Sequence, residues 1–182
     1  MLSRSNTLIL TLAVVASVIG GYVQHRNQPS TSYGGLTDTT LIGQPAPAFL
    51  LPDLDGKPHR LADNHGRRVL LNFWASWCVP CLAEMPALNR AQARTGNNGP
   101  VIIGIAMDDP AHVRRFLATH PLDYPILLGD LADPSTSALF GDTQTVLPYS
   151  VLIDANGTIM ATHVGALTSS ELESWLIGAP RP

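Results

Sequence analysis

Apolar runs and helical stripes alternate along the chain, in the order strand, helix, strand. Val69-Leu70-Leu71-Asn72-Phe73 is a nearly continuous apolar run of the buried-strand kind. Leu82, Met85 and Leu88 follow at intervals of three, which predicts one face of a helix running to about Thr95. Gly96-Asn97-Asn98-Gly99-Pro100 ends that helix, and Val101-Ile102-Ile103-Gly104-Ile105-Ala106 is a second buried strand. A strand, a helix and another apolar strand make a βαβ unit, with parallel pairing and a right-handed crossover. Asp108-Asp109-Pro110 predicts a capped helix from Pro110 to about Thr119. A short strand is expected at 124–128. A short helix is expected within 131–140, with Asp133 as its N-cap and Pro134 at its first position. Asp154-Ala155-Asn156-Gly157 joins two apolar runs as a hairpin, so 158–164 is an antiparallel edge strand. Thr168 or Ser169 caps a last helix, with Glu171 in its first turn and Leu172, Trp175 and Leu176 as its apolar stripe.

Upstream, Phe49-Leu50-Leu51 and residues 57–61 flank an Asp55-Gly56 turn, which predicts a short hairpin ahead of the main strand. Residues 64–68 read as a polar turn in which Arg67 and Arg68 are solvated. These elements predict an α/β domain, a central mixed sheet flanked by helices, over residues 43–182. Residues 8–23 are uncharged and mostly apolar, with Arg4 before them and His25 and Arg26 after. That run is slightly short of the ~17–25 residues of a spanning helix and longer than the ~7–15 of a signal-peptide core. We read residues 1–28 as an uncleaved membrane anchor, with a cleaved signal peptide as the rival. Residues 29–42, rich in Ser, Thr and Gly, read as a flexible tether. Either reading of the anchor puts the domain outside the cytoplasm.

The chain of 182 residues has apolar content of 45%, ample for a core. A net charge of −3 and a pI near 6.0 argue against a nucleic-acid partner. Its two cysteines, Cys78 and Cys81, stand two residues apart where the strand passes into the helix. A helix N-terminus offers unpaired N–H groups and partial positive charge, and both favour a thiolate. Cys-x-x-Cys placement of this kind lowers a cysteine pKa from about 8.5 to as little as about 3.5–7.5. Cys78 comes first and is expected to be the exposed nucleophile. Cys81, one turn further in, is the shielded resolving thiol. Pro80 suits the first turn, where its missing N–H costs nothing, and Pro86 is expected to kink the helix. Glu84 shares a face with Cys81, so it is either a part-buried acid that exchanges protons with that thiol or an ordinary exposed glutamate. Zinc would need more ligands than two thiols, and the six histidines show no ligand-like pairing, so no metal and no cofactor is expected.

Phe-Trp-Ala-Ser-Trp-Cys-Val-Pro-Cys over residues 73–81, followed by Glu84 and Pro86, resembles the membrane-anchored thioredoxin-like thiol-disulfide oxidoreductases of the TlpA, ResA and CcmG (DsbE) type. The resemblance covers about residues 43–176. It implies a thioredoxin-like fold with the early hairpin as an addition. It also implies that Glu84 tunes the cysteine pair and that Pro148 is a cis-proline facing it. The backbone at Leu147 would then pair with an extended protein segment by strand addition. Trp77, Val79, Pro80, Leu147 and Tyr149 complete the expected substrate-binding set. Many relatives have Thr where this chain has Tyr149, which bears on specificity. The expected partners are a protein disulfide, such as that of apocytochrome c, and a membrane thiol carrier of the DsbD or CcdA kind. Three rivals stand beside a reductant: a DsbA-like oxidant, a thiol peroxidase and a non-catalytic binding module. The peroxidase reading comes from the opening Gly43–Phe49, which also resembles peroxiredoxins.

Overall fold

A computed structural model of the chain describes residues 39–96, 99–132 and 134–177. The expected anchor, residues 29–38 of the expected tether and Asp133 lie outside the described residues. Seven strands and four helices are defined among those described: β1 (Leu50–Pro52), β2 (Pro58–Arg60), β3 (Val69–Trp74), α1 (Val79–Thr95), β4 (Val101–Ala106), α2 (Pro110–Thr119), β5 (Ile126–Leu128), α3 (Thr136–Leu139), β6 (Tyr149–Ile153), β7 (Ile159–Val164) and α4 (Ser169–Ile177). Short 3-10 turns occupy Thr39–Leu41 and Leu61–Asn64.

The main sheet has the order β5-β4-β3-β6-β7. β3, β4 and β5 are parallel, β6 runs against β3, and β7 runs against β6 and so in the direction of β3. β3 is therefore central, and all six of its residues are buried. The βαβ unit β3-α1-β4 is the one predicted from the apolar runs. Asn156-Gly157 turns β6 into β7, with Gly157 at φ 88°, a left-handed conformation that glycine adopts at no steric cost. β1 and β2 pair as the expected hairpin, with Leu51 opposite His59. Asp53 bridges to Leu127, and Arg114 donates a hydrogen bond to the Leu54 carbonyl, so the hairpin is fastened to β5 and α2.

Alternation along the strands splits the core in two. On one face Leu70, Trp74, Ile102 and Leu152 pack with Cys81, Met85 and Leu88 of α1, Val113 of α2 and Leu172, Trp175 and Leu176 of α4. On the other, Leu71, Phe73, Ile103, Ile105, Val151 and Ile153 pack with Phe140, Phe49, Leu51 and Leu61. The second face is thus covered largely by the early segments and the short α3. The segment from Gly43 also runs along the start of β7. Gly43 and Ala46 donate to the carbonyls of Ile159 and Gly157, at 2.8 Å each.

Several expectations change. Leu41 packs on the second core, so the domain takes in residues expected to belong to the tether. The short helix starts at Thr136 with Ser135 as its N-cap, because the Ser135 hydroxyl accepts from Ala138 N–H; Pro134 precedes it. Arg67 and Arg68 are half-buried: Arg67 donates to the Gly99 carbonyl and Arg68 to the Trp175 carbonyl, at 2.9 Å each. Pro86 lies inside α1 without ending it. At α4, Thr168 and Glu171 form a reciprocal capping box: Thr168 N–H donates to Glu171 Oε2 and Glu171 N–H to Thr168 Oγ1.

Candidate active site

The carboxyl end of β3 delivers the chain to α1 through Ala75-Ser76-Trp77-Cys78. Cys78 is the N-cap of α1 and has extended backbone, φ −84° and ψ 97°. Its sulfur occupies the place of an ordinary cap oxygen and accepts the Cys81 N–H at 3.3 Å. Pro80 falls in the first turn, where its missing N–H leaves no bond unmade. Cys78 and Cys81 are joined in a disulfide with Cα atoms 5.3 Å apart.

Cys78 is 4% exposed and Cys81 is fully buried. The expectation of an openly exposed Cys78 is therefore corrected for the disulfide form, in which its sulfur is turned inward to Cys81 and to the helix N–H. The order of access is the one expected, with Cys78 outermost. Around it the surface is open: Trp77 is 68% exposed, Val79 is 76% exposed, and Pro80 is exposed too. These apolar side chains rim the disulfide.

Glu84 stands three residues after Cys81 on α1. It is 5% exposed, and the expectation of a buried acid holds over that of a surface glutamate. Asn72 Nδ2 donates to Glu84 Oε1 at 2.7 Å, and Leu167 N–H donates to Oε2 at 2.9 Å. Asn72 also donates to Ser150 Oγ at 3.1 Å, its neighbour directly across the β3–β6 ladder. Burial pushes the Glu84 carboxyl up to about 7, against the two hydrogen bonds, which pull it down. Tyr124 is buried nearby; burial first and the Glu84 charge second raise its phenol above the ordinary range. Gly104 packs tightly beside Tyr124: a Cβ there would lie 2.6 Å from Ile126 Cδ1 and 3.1 Å from both Trp74 Nε1 and the Tyr124 ring. Asn72, Ser150 and Tyr124 were not singled out in the sequence. An asparagine inside the apolar run 69–73 was the available signal, because a polar side chain on a strand buried on both faces needs a buried partner.

The Leu147–Pro148 peptide bond is cis, and Pro148 is buried just before β6, whose first residue pairs with Phe73 of β3. Leu147 is half-buried and packs against the core that contains both cysteines. Tyr149 is corrected. It is fully buried on the opposite face of the sheet, 5.9 Å from the Phe73 ring, and its hydroxyl donates to the Phe140 carbonyl at 2.9 Å. Alternation turns the residue after Pro148 away from the cysteines, so Tyr149 is a core residue and not part of a substrate-binding surface. Its backbone continues the sheet.

A Cys-x-x-Cys disulfide set at the start of a helix on a thioredoxin-like sheet, with a buried acid on the same helix, defines a disulfide-exchange protein. Its relatives are consistent with that chemistry. The Redoxin family model matches residues 41–176, and the chain belongs to that family, among its thioredoxin-like thiol-disulfide oxidoreductases. It is 34% identical over 136 residues to the thiol-disulfide oxidoreductase ResA of Geobacillus thermodenitrificans (strain NG80-2), covering 74% of this chain and 76% of that one. It is 36% identical over 140 residues to the thioredoxin-like protein YneN of Bacillus subtilis (strain 168), covering 74% and 78%. A crystal structure of a thiol:disulfide interchange protein DsbE from Chlorobium tepidum superposes with a TM-score of 0.63 at 33% identity, over 71% of this chain and 89% of that one.

Proposed function

We propose that this protein reduces disulfides in other proteins outside the cytoplasm, tethered to the membrane by residues 1–28. Among the described residues no helix is long and apolar enough to cross a membrane, and the proposed anchor lies outside them. The observation that carries the chemistry is the Cys78 sulfur accepting the Cys81 N–H in the first turn of α1, with Glu84 buried three residues further along the same helix.

In the reduced protein the Cys78 thiolate attacks one sulfur of a substrate disulfide. The substrate's other sulfur leaves as a thiolate, and a mixed disulfide forms. Glu84, with a carboxyl near 7, takes the proton of Cys81. The Cys81 thiolate then attacks Cys78, the mixed disulfide breaks, and the second substrate sulfur departs. Two electrons have passed to the substrate, and the Cys78–Cys81 disulfide is the product state. A membrane thiol carrier of the DsbD or CcdA kind would restore the dithiol. Trp77, Val79, Pro80, the backbone at Leu147 and Pro148 are the proposed docking surface for an extended segment around the substrate cysteine. Apocytochrome c is the proposed example of such a substrate.

The equilibrium reduction potential of the Cys78–Cys81 pair tests the direction of transfer. A value at or below about −250 mV supports a reductant, and one near about −120 mV would make the protein an oxidant instead.

A further inference from the structure

Asp108 is an almost buried carboxylate one residue away from the machinery, and nothing in the dithiol mechanism uses it. It stands two residues beyond β4, whose last residue Ala106 pairs with Trp74 at the end of β3. Met107 N–H donates to the Trp74 carbonyl at 2.7 Å, so the two strand ends are locked in register there. From that position Asp108 reaches across to the loop that carries Cys78. Its Oδ2 accepts both the Ser76 N–H at 2.9 Å and the Ser76 hydroxyl at 2.5 Å. Its Oδ1 accepts the Asp109 N–H at 2.7 Å and faces His112 Nδ1 at 3.3 Å. Burial opposes the charge, but the hydrogen bonds from Ser76, Asp109 and His112 outweigh it and hold the carboxyl below its usual range. Ser76 is two residues before Cys78, and the turn between them closes with Cys78 N–H on the Ala75 carbonyl at 3.1 Å.

We propose that Asp108 is a positioning residue for disulfide exchange: through Ser76 it fixes the strand-to-helix loop so that the Cys78 sulfur sits on the N–H groups opening α1. The inference rests on Cys78 being the attacking thiol. Two effects of the carboxylate have opposite signs. As a bare negative charge near Cys78, Asp108 disfavours a second anion, and neutralising it would make the thiolate easier to form. As the anchor of the loop it keeps the sulfur where the helix stabilises the anion, and loosening it makes the thiolate harder to form. Asparagine separates the two. Oδ2 serves the Ser76 N–H and Oδ1 the Asp109 N–H, so an amide nitrogen meets a donor in either place and one of the two attachments is lost: the bond to the loop itself, or the bond that holds the side chain in place to reach it.

The test is the pH profile of iodoacetamide alkylation of the reduced full-length protein, with the modified cysteine located by mass spectrometry. Asp108→Asn is expected to raise the midpoint for Cys78 by about one pH unit, a tenfold smaller thiolate fraction well below both midpoints. Ser76→Ala, which changes no charge and removes only one hydroxyl, is expected to shift it the same way by less. An unchanged or lowered midpoint in Asp108→Asn overturns the proposal. So does loss of thermal stability in both variants with the Cys78 midpoint intact, which is what a purely structural carboxylate would give. Should Asp108→Asn not fold, an unshifted midpoint in Ser76→Ala overturns it alone. A reduction potential typical of an oxidant would reverse the proposed direction of electron transfer and leave these midpoints where they are, so the two failures are distinguishable.

Discussion

Two parallel strands, β3 and β4, end side by side in this sheet, and each leads into a helix capped by the residue before it. At the second junction the cap is Asp109, whose carboxylate accepts the Ala111 N–H at 2.7 Å, with Pro110 in the first turn. At the first it is Cys78, whose sulfur accepts the Cys81 N–H at 3.3 Å, with Pro80 in the first turn. The backbone device is the same. A carboxylate oxygen in that place holds a helix end; a sulfur in that place can also become an anion, attack and leave. The helix N-terminus therefore stabilises a fixed structural charge at α2 and a reactive, transient one at α1. What sets them apart is the surroundings: Asp109 is exposed, whereas Cys78 is buried in the core that also holds Trp74, Cys81 and Met85.

The strongest way to break the comparison is to exchange reactive for inert. Cys78→Ala is expected to abolish reduction of a protein disulfide, measured as turnover with dithiothreitol as the electron source, and Asp109→Ala to leave it unchanged. Retained turnover in Cys78→Ala would contradict the assignment.

Next in size is Glu84, which has no counterpart at the α2 junction. Its carboxyl titrates near 4.5 when unfolded and near 7 when folded. Between those values the folded state binds more protons, so stability is highest at low pH and falls as pH rises through that window. At about 1.36 kcal/mol per pH unit the loss amounts to about 3 kcal/mol above pH 7. Glu84→Gln removes it, since Asn72 can turn its amide to accept from the new side chain. Urea melts at pH 8 should then favour the variant by up to about 3 kcal/mol, with the difference vanishing near pH 4. A difference independent of pH would mean that packing, not ionisation, is responsible. The same substitution should flatten the pH dependence of the reduction potential near pH 7.

The cap at α2 is worth less. Asp109→Ala should cost about 1 kcal/mol in thermal or urea unfolding without moving the Cys78 alkylation midpoint. Smallest in stability is Trp77→Ala, expected within about 0.5 kcal/mol because the ring is 68% exposed. Its effect should appear instead as a raised KM for a protein disulfide, and an unchanged KM would remove Trp77 from the docking surface.

The order of elements was legible because β3 and β4 are apolar runs and α1 carries Leu82, Met85 and Leu88 at helical spacing. The reactive pair was legible because both cysteines fall at one junction. The partners of Glu84 were not, because they come from β3 and from the loop before α4, and Asn72 is in turn held by Ser150 of β6, none of which local spacing connects. Spacing alone left Glu84 open between the interior and the surface, and the contact with Asn72 decides it. Tyr149 was misplaced because proximity in sequence to Pro148 says nothing about which face of the strand a side chain takes. Arg67 and Arg68 looked solvated because the carbonyls they serve belong to residues 99 and 175, far along the chain. The bond between Ser76 and Asp108 escaped notice for the same reason.

The most direct test of the whole account is alkylation of the reduced, unaltered protein across pH, with each cysteine followed separately. The account predicts that Cys78 reacts first, with a midpoint well below the value of about 8.5 for a free thiol, and that Cys81 stays protected. Two cysteines reacting together with midpoints at or above about 8.5, or Cys81 reacting first, would contradict it.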